Sequence, residues 1–161
     1  MQVIRCSLIA SLVLLATCAT SAPRPPDRSA VAAALDAFHA AASRADEKAY
    51  FDLLAPDAVF LGTDPNERWT REQFRAFAHP YFSQGRGWMY VPRDRHIAFS
   101  PDGTVAWFDE KLDNTSYGET RGTGVLRLID GVWKIEQYDL TIPIPNDLAK
   151  EVVERIRASH R

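Results

Sequence analysis

The segment GTGVLRLIDGVWKIEQYDL, residues 122–140, decides how this chain folds. Apolar and polar side chains alternate on both sides of Asp130-Gly131, a dipeptide that strongly favours a two-residue hairpin turn. Such a turn places Ile129 opposite Val132 and fixes the pairing of every residue farther out. The segment therefore predicts two long antiparallel strands that end a sheet.

One face of this hairpin changes character along its length. Near the turn it carries large apolar side chains, namely Leu126, Leu128, Trp133 and Ile135. Farther along, the same register places Gly124 opposite Gln137 and Gly122 opposite Asp139. Glycines facing polar residues predict either a bend in the sheet alone or a bend beside a ligand pocket. On the second reading, Gly122, Gly124 and Gln137 bind a ligand, and Asp139 is a candidate catalytic carboxylate.

The chain before this hairpin divides into helices and strands. Apolar residues recur at helical spacing over residues 30–44, Asp46 caps a short second helix that Pro56 ends, and Thr70 caps a third. Strands are predicted at residues 58–61, 88–100, 104–112, 119–129 and 132–141, with a short helix after Asn146. Helices that precede an antiparallel meander indicate an α+β fold.

Two adjacent carboxylates, Asp109 and Glu110, lie in one of these strands, so only one can point into the domain. Arg121 lies near them across a hairpin, and two readings stay open: a structural ion pair, or a catalytic carboxylate in an apolar pocket. Glu110 is thus the second catalytic candidate. Trp88, Trp107 and Arg121 are further ligand-binding candidates, although large aromatic residues fill cores as well as pockets.

Composition limits the classes of function. The chain has 161 residues, a formal net charge of −2 and a pI near 6.1. This length predicts one domain, and the charge argues against a nucleic-acid binder, whose affinity would come from neutralising phosphates. No pair of histidines has metal-ligand spacing, and there is no glycine-rich phosphate loop. We therefore expect no metal and no cofactor.

Residues 1–22 have the pattern of an export signal: one positive charge, an apolar run and small residues. Two cleavage readings stay open. Leu15-Ala16-Thr17-Cys18 resembles a lipobox, in which Cys18 would carry the lipid and provide the chain's membrane contact; alternatively, cleavage follows Ala19 or Ala22. Residues 23–27 then form a Pro-rich linker and residues 28–158 the domain. We expect an exported bacterial protein, either periplasmic or anchored to the membrane as a lipoprotein.

Both cysteines, Cys6 and Cys18, lie in this leading segment. The predicted domain therefore has no thiol, no disulfide and no cysteine nucleophile. An exported domain without disulfides depends on its hydrophobic core for stability.

The order of these elements resembles the nuclear transport factor 2-like superfamily. The words that carry the resemblance are PDAVF at residues 56–60, AWF at 106–108, GTGVL at 122–126 and WKI at 133–135. FLGTDPNERWT at 60–70, AWFDEKL at 106–112 and IPIPN at 142–146 are similar to its SnoaL-like branch. The resemblance covers residues 27–156 and implies a curved sheet wrapped around helices as a cone with one deep pocket, often dimeric through the sheet.

The resemblance implies a fold more than a function. The superfamily includes isomerases, cyclases, dehydratases and binding-only members, and its ketosteroid isomerases use a carboxylate base with a tyrosine and a protonated aspartic acid. These catalytic residues cannot be assigned in this sequence, because the first helix carries Phe38 and His39 and has no tyrosine there. In many relatives, histidines stand at the positions of Gln137 and Asp139.

Two hypotheses follow from these observations. The first is a ligand-binding or accessory domain for a small hydrophobic or amphipathic molecule in the cell envelope. The second is a lyase or isomerase that uses a pocket carboxylate for proton transfer on a small organic substrate. A homodimer formed through the sheet is compatible with both.

Overall fold

A computed structural model describes residues 27–159. Ten elements follow in order: α1 (Arg28–Ser43), α2 (Glu47–Asp52), β1 (Leu54–Leu61), β2 (Arg68–Thr70), α3 (Arg71–Phe82), β3 (Val91–Phe99), β4 (Val105–Asn114), β5 (Gly118–Ile129), β6 (Val132–Thr141) and α4 (Ala149–Ser159). The α+β class predicted from the sequence is confirmed.

Side-chain caps start the first three helices, and those of the second and third, Asp46 and Thr70, are the ones that the sequence predicts. The carboxylates of Asp27 and Asp46 accept the backbone N–H groups of Ala30 and Ala49. Thr70 and Gln73 form a reciprocal capping box at the start of α3. Each cap satisfies backbone donors that the first turn of a helix leaves unpaired.

One curved sheet holds all six strands in the order β2-β1-β6-β5-β4-β3. Neighbouring strands are antiparallel except β1 and β6, which run parallel. β1 begins at Leu54, before the predicted start at residue 58, so Pro56 lies in the strand rather than after a longer helix. Pro56 is accommodated because the pairing of β1 with β6 is irregular between Leu54 and Val59, where a missing N–H breaks no ladder bond.

The core lies between the concave face of the sheet and the helices. Alternate residues of β4 and β5 point inward; the buried ones include Ala106, Phe108, Leu112 and Leu126. Val31, Leu35 and Phe38 of α1 and Phe74, Ala78 and Phe82 of α3 complete this core; α1 packs on β3 and β6, and α3 packs on β1 and β2. The period-two strands and the helical stripes thus bury the same faces that their patterns predict.

The last hairpin keeps the predicted register only near its turn. Asp130 and Gly131 both have positive φ, 50° and 81°, as a type I′ turn requires. Ile129 pairs with Val132, and Leu126 with Ile135. Beyond this point, Glu136 is an extra residue in β6, so that Val125 pairs with Gln137.

This β-bulge makes the predicted inward face wrong for the outer half of β6. Gly124 pairs with Tyr138 and Gly122 with Leu140, and these two large side chains are buried. Gln137 and Asp139 lie on the opposite face, where Gln137 is exposed and Asp139 is half-buried. An inserted residue reverses the alternation of every residue after it, which is why counting from the turn fails here.

The two strand glycines therefore face Tyr138 and the bulge rather than open space. A Cβ on Gly122 would lie 2.5 Å from the Tyr138 hydroxyl, and a Cβ on Gly124 would lie 2.1 Å from the backbone oxygen of Gln137. Gly122 leaves room for the tyrosine ring, and Gly124 leaves room for the bulged backbone. The prediction that both glycines line a ligand pocket is not supported by this geometry.

The predicted export signal and most of the predicted linker lie outside the described residues. Across residues 27–159, no helix combines the length and the apolar character needed to span a bilayer. At the other end, α4 buries none of its side chains.

Candidate functional site

Three ionisable side chains meet beneath α1 and form what we call the buried cluster: His39, Arg95 and Glu110. His39 Nε2 lies 2.7 Å from Glu110 Oε1, and Arg95 Nε lies 2.6 Å from Glu110 Oε2. The Glu110 side chain is fully buried, and those of His39 and Arg95 are 8% and 13% exposed. One carboxylate is thus held between an imidazole and a guanidinium.

Each member reaches the cluster for a local reason. His39 follows Leu35 by four residues and therefore shares the buried stripe of α1. Glu110 is on the inward-facing set of β4, between Phe108 and Leu112. Arg95 belongs to a bulge in β3, where Asp94 has a φ of 49° and the pairing with β4 shifts between Arg93 and His96. The bulge turns Arg95 toward the helices, a common use of such irregularities.

Arg95 also ties the sheet to α1. Its Nη1 donates to the backbone oxygen of Ala32 at 3.1 Å and to Asp36 Oδ1 at 2.7 Å. Burial alone would lower the pKa of Arg95, but the carboxylates of Glu110 and Asp36 outweigh it and raise that pKa. Arg95 therefore stays charged, and it neutralises a carboxylate that would otherwise be very costly to bury.

Tyr138 lies beside this cluster. Its ring centroid is 6.2 Å from that of His39 and 5.0 Å from that of Phe38. Burial first, and then the negative charge of Glu110, raise the pKa of the Tyr138 hydroxyl well above its ordinary value. Tyr138 is consequently a neutral hydroxyl near the cluster at any physiological pH.

A cavity of about 240 Å³ opens between β1, β2, α3 and the loops before β3 and β5, and we call it the aromatic cavity. Seven of its eleven lining residues are aromatic: Phe60, Trp69, Phe74, Phe77, Trp88, Tyr90 and Tyr117. The others are Gly62, Thr63, Glu67 and Leu140. Burial and Tyr117 raise the pKa of Tyr90 to about 12, so Tyr90 presents a neutral hydroxyl. The apolar, aromatic lining is typical of small-molecule sites, and the volume is slightly below the range of about 300–1,000 Å³ usual for them.

The rings on one wall of this cavity form a stack. The Trp69 ring lies 4.8 Å from Phe77 and 5.5 Å from Phe74, and Phe74 lies 3.8 Å from Phe60, with interplanar angles of 22°, 16° and 15°. Phe77 remains 44% exposed. A wall of nearly parallel rings favours flat ligands, because offset stacking adds to the area that such a ligand buries.

Only a narrow gap separates the aromatic cavity from the buried cluster. It has a volume of about 20 Å³ and reaches His39 and Tyr138. Phe60, Trp88, Tyr90 and Leu140 line both spaces and therefore stand between them. A gap of this size holds about one water molecule. A ligand in the aromatic cavity does not touch His39 unless these side chains move.

A polar groove of about 340 Å³ opens on the outer face of β3, β4 and β5 and borders the buried cluster, since Arg95 and Glu110 are among its lining residues. The other lining residues are Asp94, His96, Asp109, Lys111 and Arg121, so acidic and basic side chains are mixed there. The Lys111 ammonium lies 3.2 Å from Asp94. Since opposite charges are interleaved, the groove has no uniform field that would select a charged ligand.

The structure separates most of the residues that the sequence suggested as a site. Glu110 points inward as expected, but its guanidinium partner is Arg95, and the suggested partner Arg121 lies in the outer groove. Trp88 lines the aromatic cavity, whereas Trp107 is on the outer face and 49% exposed. Gly122, Gly124, Gln137 and Asp139 do not line this cavity.

Sequence reasoning missed several residues that matter most. His39 could have been found from its place on the apolar stripe of the first helix, where a polar residue needs a buried partner. Arg95 gave no such signal, because alternation in an unbroken strand does not reveal a bulge. Trp69 and Phe77 come together only through the packing of β2 on β1 and of α3 beside them.

The described residues hold no group of three or more His, Cys, Asp or Glu side chains that could bind a metal ion. The buried cluster contains a single histidine and a single carboxylate beside a permanently charged guanidinium. A cation at this position would be repelled by Arg95, so the donor set does not fit a metal.

Comparison with solved structures places the fold. A nuclear transport factor 2-like protein from Cytophaga hutchinsonii superposes with a TM-score of 0.61 at 20% identity, covering 74% of this chain and all of that one. A protein from Novosphingobium aromaticivorans, provisionally named a scytalone dehydratase, gives 0.59 at 15% identity, covering 72% and 83%. A cystatin-like protein of unknown function from Nostoc punctiforme gives 0.58 at 16% identity, covering 73% and 91%.

No curated protein sequence matches this chain. The family profile described as a SnoaL-like domain matches residues 31–145, which span α1 to the end of β6. Together with the nuclear transport factor 2-like neighbours, this match shows that the chain belongs to the family of SnoaL-like domain proteins.

Proposed function

We propose that this protein binds a small, flat and largely apolar molecule in the aromatic cavity. The observation that carries the proposal is the contrast between two spaces: a cavity of about 240 Å³ lined mainly by rings, and a gap of about 20 Å³ beside His39 and Tyr138. The larger space accepts a ligand of one or two rings, and the smaller does not. Binding rather than chemistry is therefore the function that the resting geometry supports.

The four tryptophans allow a direct test. Trp69 and Trp88 line the aromatic cavity, whereas Trp107 is on the outer face and Trp133 is buried in the core. Titration with 2-naphthol, followed by the indole N–H resonances in nitrogen–proton correlation spectra, should shift the signals of Trp69 and Trp88 and leave those of Trp107 and Trp133 in place. Saturable shifts confined to Trp107, or none at all, would overturn the proposal.

A second function, proton transfer by His39, is favoured by one specific observation. The 2.7 Å contact with Glu110 orients the imidazole, and Arg95 fixes the carboxylate in turn. A base held by a carboxylate that is itself held is an arrangement found in enzymes that move protons. Movement of Trp88 or Tyr90 would have to open the gap first.

Exchange of a bound carbon acid distinguishes this second function from binding alone. In D₂O, the wild-type protein should catalyse deuterium uptake into an acidic C–H of a cavity ligand such as 2-tetralone, and His39→Gln should not. Equal exchange rates with the two proteins would exclude His39 as the base.

Export is also part of the proposal. Residues 1–22 have the charged, apolar and small-residue segments of a signal, and Cys18 offers a site for lipid attachment. Mass spectrometry of the protein from its native envelope should find either a diacylglyceryl group on Cys18 or an N-terminus near Thr20. An intact Met1 would contradict export.

A further inference from the structure

The aromatic cavity combines two features that together select for charge. Seven of its eleven lining residues are aromatic, and their ring faces carry partial negative charge. Its one ionised side chain is the carboxylate of Glu67, and its lining contains no lysine, arginine or histidine. The one charged group and the ring faces of this lining therefore favour a positive ligand.

The rings that line the cavity come from separate parts of the chain. Trp69 and Phe77 come from β2 and α3, whereas Trp88, Tyr90 and Tyr117 come from the segments before β3 and β5. A cation in the cavity is surrounded by rings from several elements, and aromatic cages of this kind recognise alkylated ammonium groups.

Glu67 is held against this aromatic wall by a local turn. Its Oε2 accepts the backbone N–H of Asp64 at 3.1 Å, and the backbone N–H of Gly62 donates to the Glu67 carbonyl oxygen at 2.9 Å. Within residues 27–159, no lysine, arginine or histidine forms an ion pair with Glu67. Its charge is therefore available to a ligand, unlike that of Glu110.

Gly62 shows how closely the carboxylate and the indole approach. A Cβ at this position would lie 2.2 Å from Glu67 Oε2 and 3.0 Å from the ring of Trp69. Because glycine has no Cβ, Glu67 can fold over the backbone beside the edge of Trp69. A carboxylate and an aromatic ring are thus brought together at the rim of one cavity.

We propose that the aromatic cavity selects an organic cation, a protonated or quaternary amine with small apolar substituents, held by Glu67 and the surrounding rings. This inference rests on the proposed binding function and adds the charge of the ligand. An anion would be repelled by both Glu67 and the ring faces. A bare metal ion would find too few oxygen or nitrogen ligands in a lining of rings.

The test compares two probes of the same shape and different charge. Choline and 3,3-dimethyl-1-butanol differ in that a carbon replaces the quaternary nitrogen. Isothermal titration of the protein should give an affinity for choline about tenfold higher than for the alcohol, and nitrogen–proton spectra should show shifts of the Trp69 and Trp88 indole signals. Equal affinities would overturn the inference.

Glu67→Gln is the diagnostic variant, because an amide keeps the acceptor for Asp64 and loses the charge. It should weaken choline binding severalfold and leave binding of 3,3-dimethyl-1-butanol and 2-naphthol unchanged. Glu154→Gln, an equal charge change on the exposed α4, is the matched control and should alter none of the three. A choline preference that survives Glu67→Gln intact would overturn the role of Glu67.

The outcomes separate this inference from the proposed function. If 2-naphthol binds at Trp69 and Trp88 while choline does not, the cation assignment fails and the binding function stands. If neither compound binds, both fail. If choline binds and shifts Trp107 instead, the site is elsewhere and the inference is wrong.

Discussion

The buried cluster and the aromatic cavity use polar groups in opposite ways. In the buried cluster, Glu110 has a partner on each carboxylate oxygen and no exposure to solvent. In the aromatic cavity, one carboxylate oxygen of Glu67 accepts a backbone N–H group, and the carboxylate borders the open cavity. Polar groups whose hydrogen-bond partners are all present stabilise the fold, whereas a polar group with an unused acceptor beside a cavity can bind a ligand. The contrast teaches that a buried ionisable cluster whose carboxylate has a partner on each oxygen is better suited to holding the fold together than to binding a ligand.

The largest expected effect breaks the buried cluster. Glu110→Ala leaves Arg95 with an uncompensated charge beside the core and leaves the His39 imidazole without its partner. We expect the free energy of unfolding to fall by about 3–5 kcal/mol, measured by urea denaturation. The half-exposed Phe77 of the cavity provides the comparison, since Phe77→Ala should cost only about 1 kcal/mol. Similar losses for the two variants would mean that the cluster does not stabilise the fold.

An intermediate effect is expected where the sheet must bulge. In Gly124→Ala, the new methyl group would collide with the Gln137 backbone oxygen and with the ring of Phe108, 2.9 Å away. We expect a loss of about 1–3 kcal/mol, because neither obstacle is the end of a flexible side chain. Thr123→Ala, one residue earlier and on the other face, serves as the control. Unchanged stability in Gly124→Ala together with weaker ligand binding would restore the pocket reading of this glycine.

The smallest effect concerns Asp139, which lies in neither region. Partial burial raises the pKa of this carboxyl from its ordinary value of 3.8. The folded state then binds the proton more tightly than the unfolded state, so stability falls as the pH rises just above 3.8. Asp139→Asn should remove this dependence and stabilise the protein by less than about 0.5 kcal/mol near neutral pH. Denaturation curves at several pH values would show it; a destabilised variant would indicate that the charge has a favourable partner.

Local signals predicted the scaffold well. The caps Asp46 and Thr70 and the turn at Asp130-Gly131 depend on neighbours within four residues, so the sequence alone identifies them. The α+β class followed from the order of elements and from the family resemblance. The residues that cause each of these features are close together in the sequence.

The site was predicted poorly because two bulges decide it. Arg95 enters the core through the irregularity at Asp94, and Tyr138 replaces Gln137 on the inner face because Glu136 is an extra residue. Neither bulge has a local signal strong enough to override alternation. The sequence indicated that Gly124 is unusual, but the reason that glycine is needed there is the bulged backbone on the neighbouring strand. Residues such as Trp69 meet Phe77 only after the sheet and helix have packed.

The extra residue at Glu136 also bears on how such a site changes between relatives. Side chains of a strand alternate between its two faces, and at Glu136 this alternation is interrupted, so that even-numbered rather than odd-numbered residues of β6 face inward after it. Deletion of Glu136 would leave a regular strand in which Tyr138 and Leu140 still face inward, because one residue, Gln137, would then separate Ile135 from Tyr138. Pairing without a bulge that kept Glu136 would instead turn Gln137 and Asp139 inward. Relatives that differ in length by this one residue can therefore keep the same concave face, since the bulge absorbs the insertion.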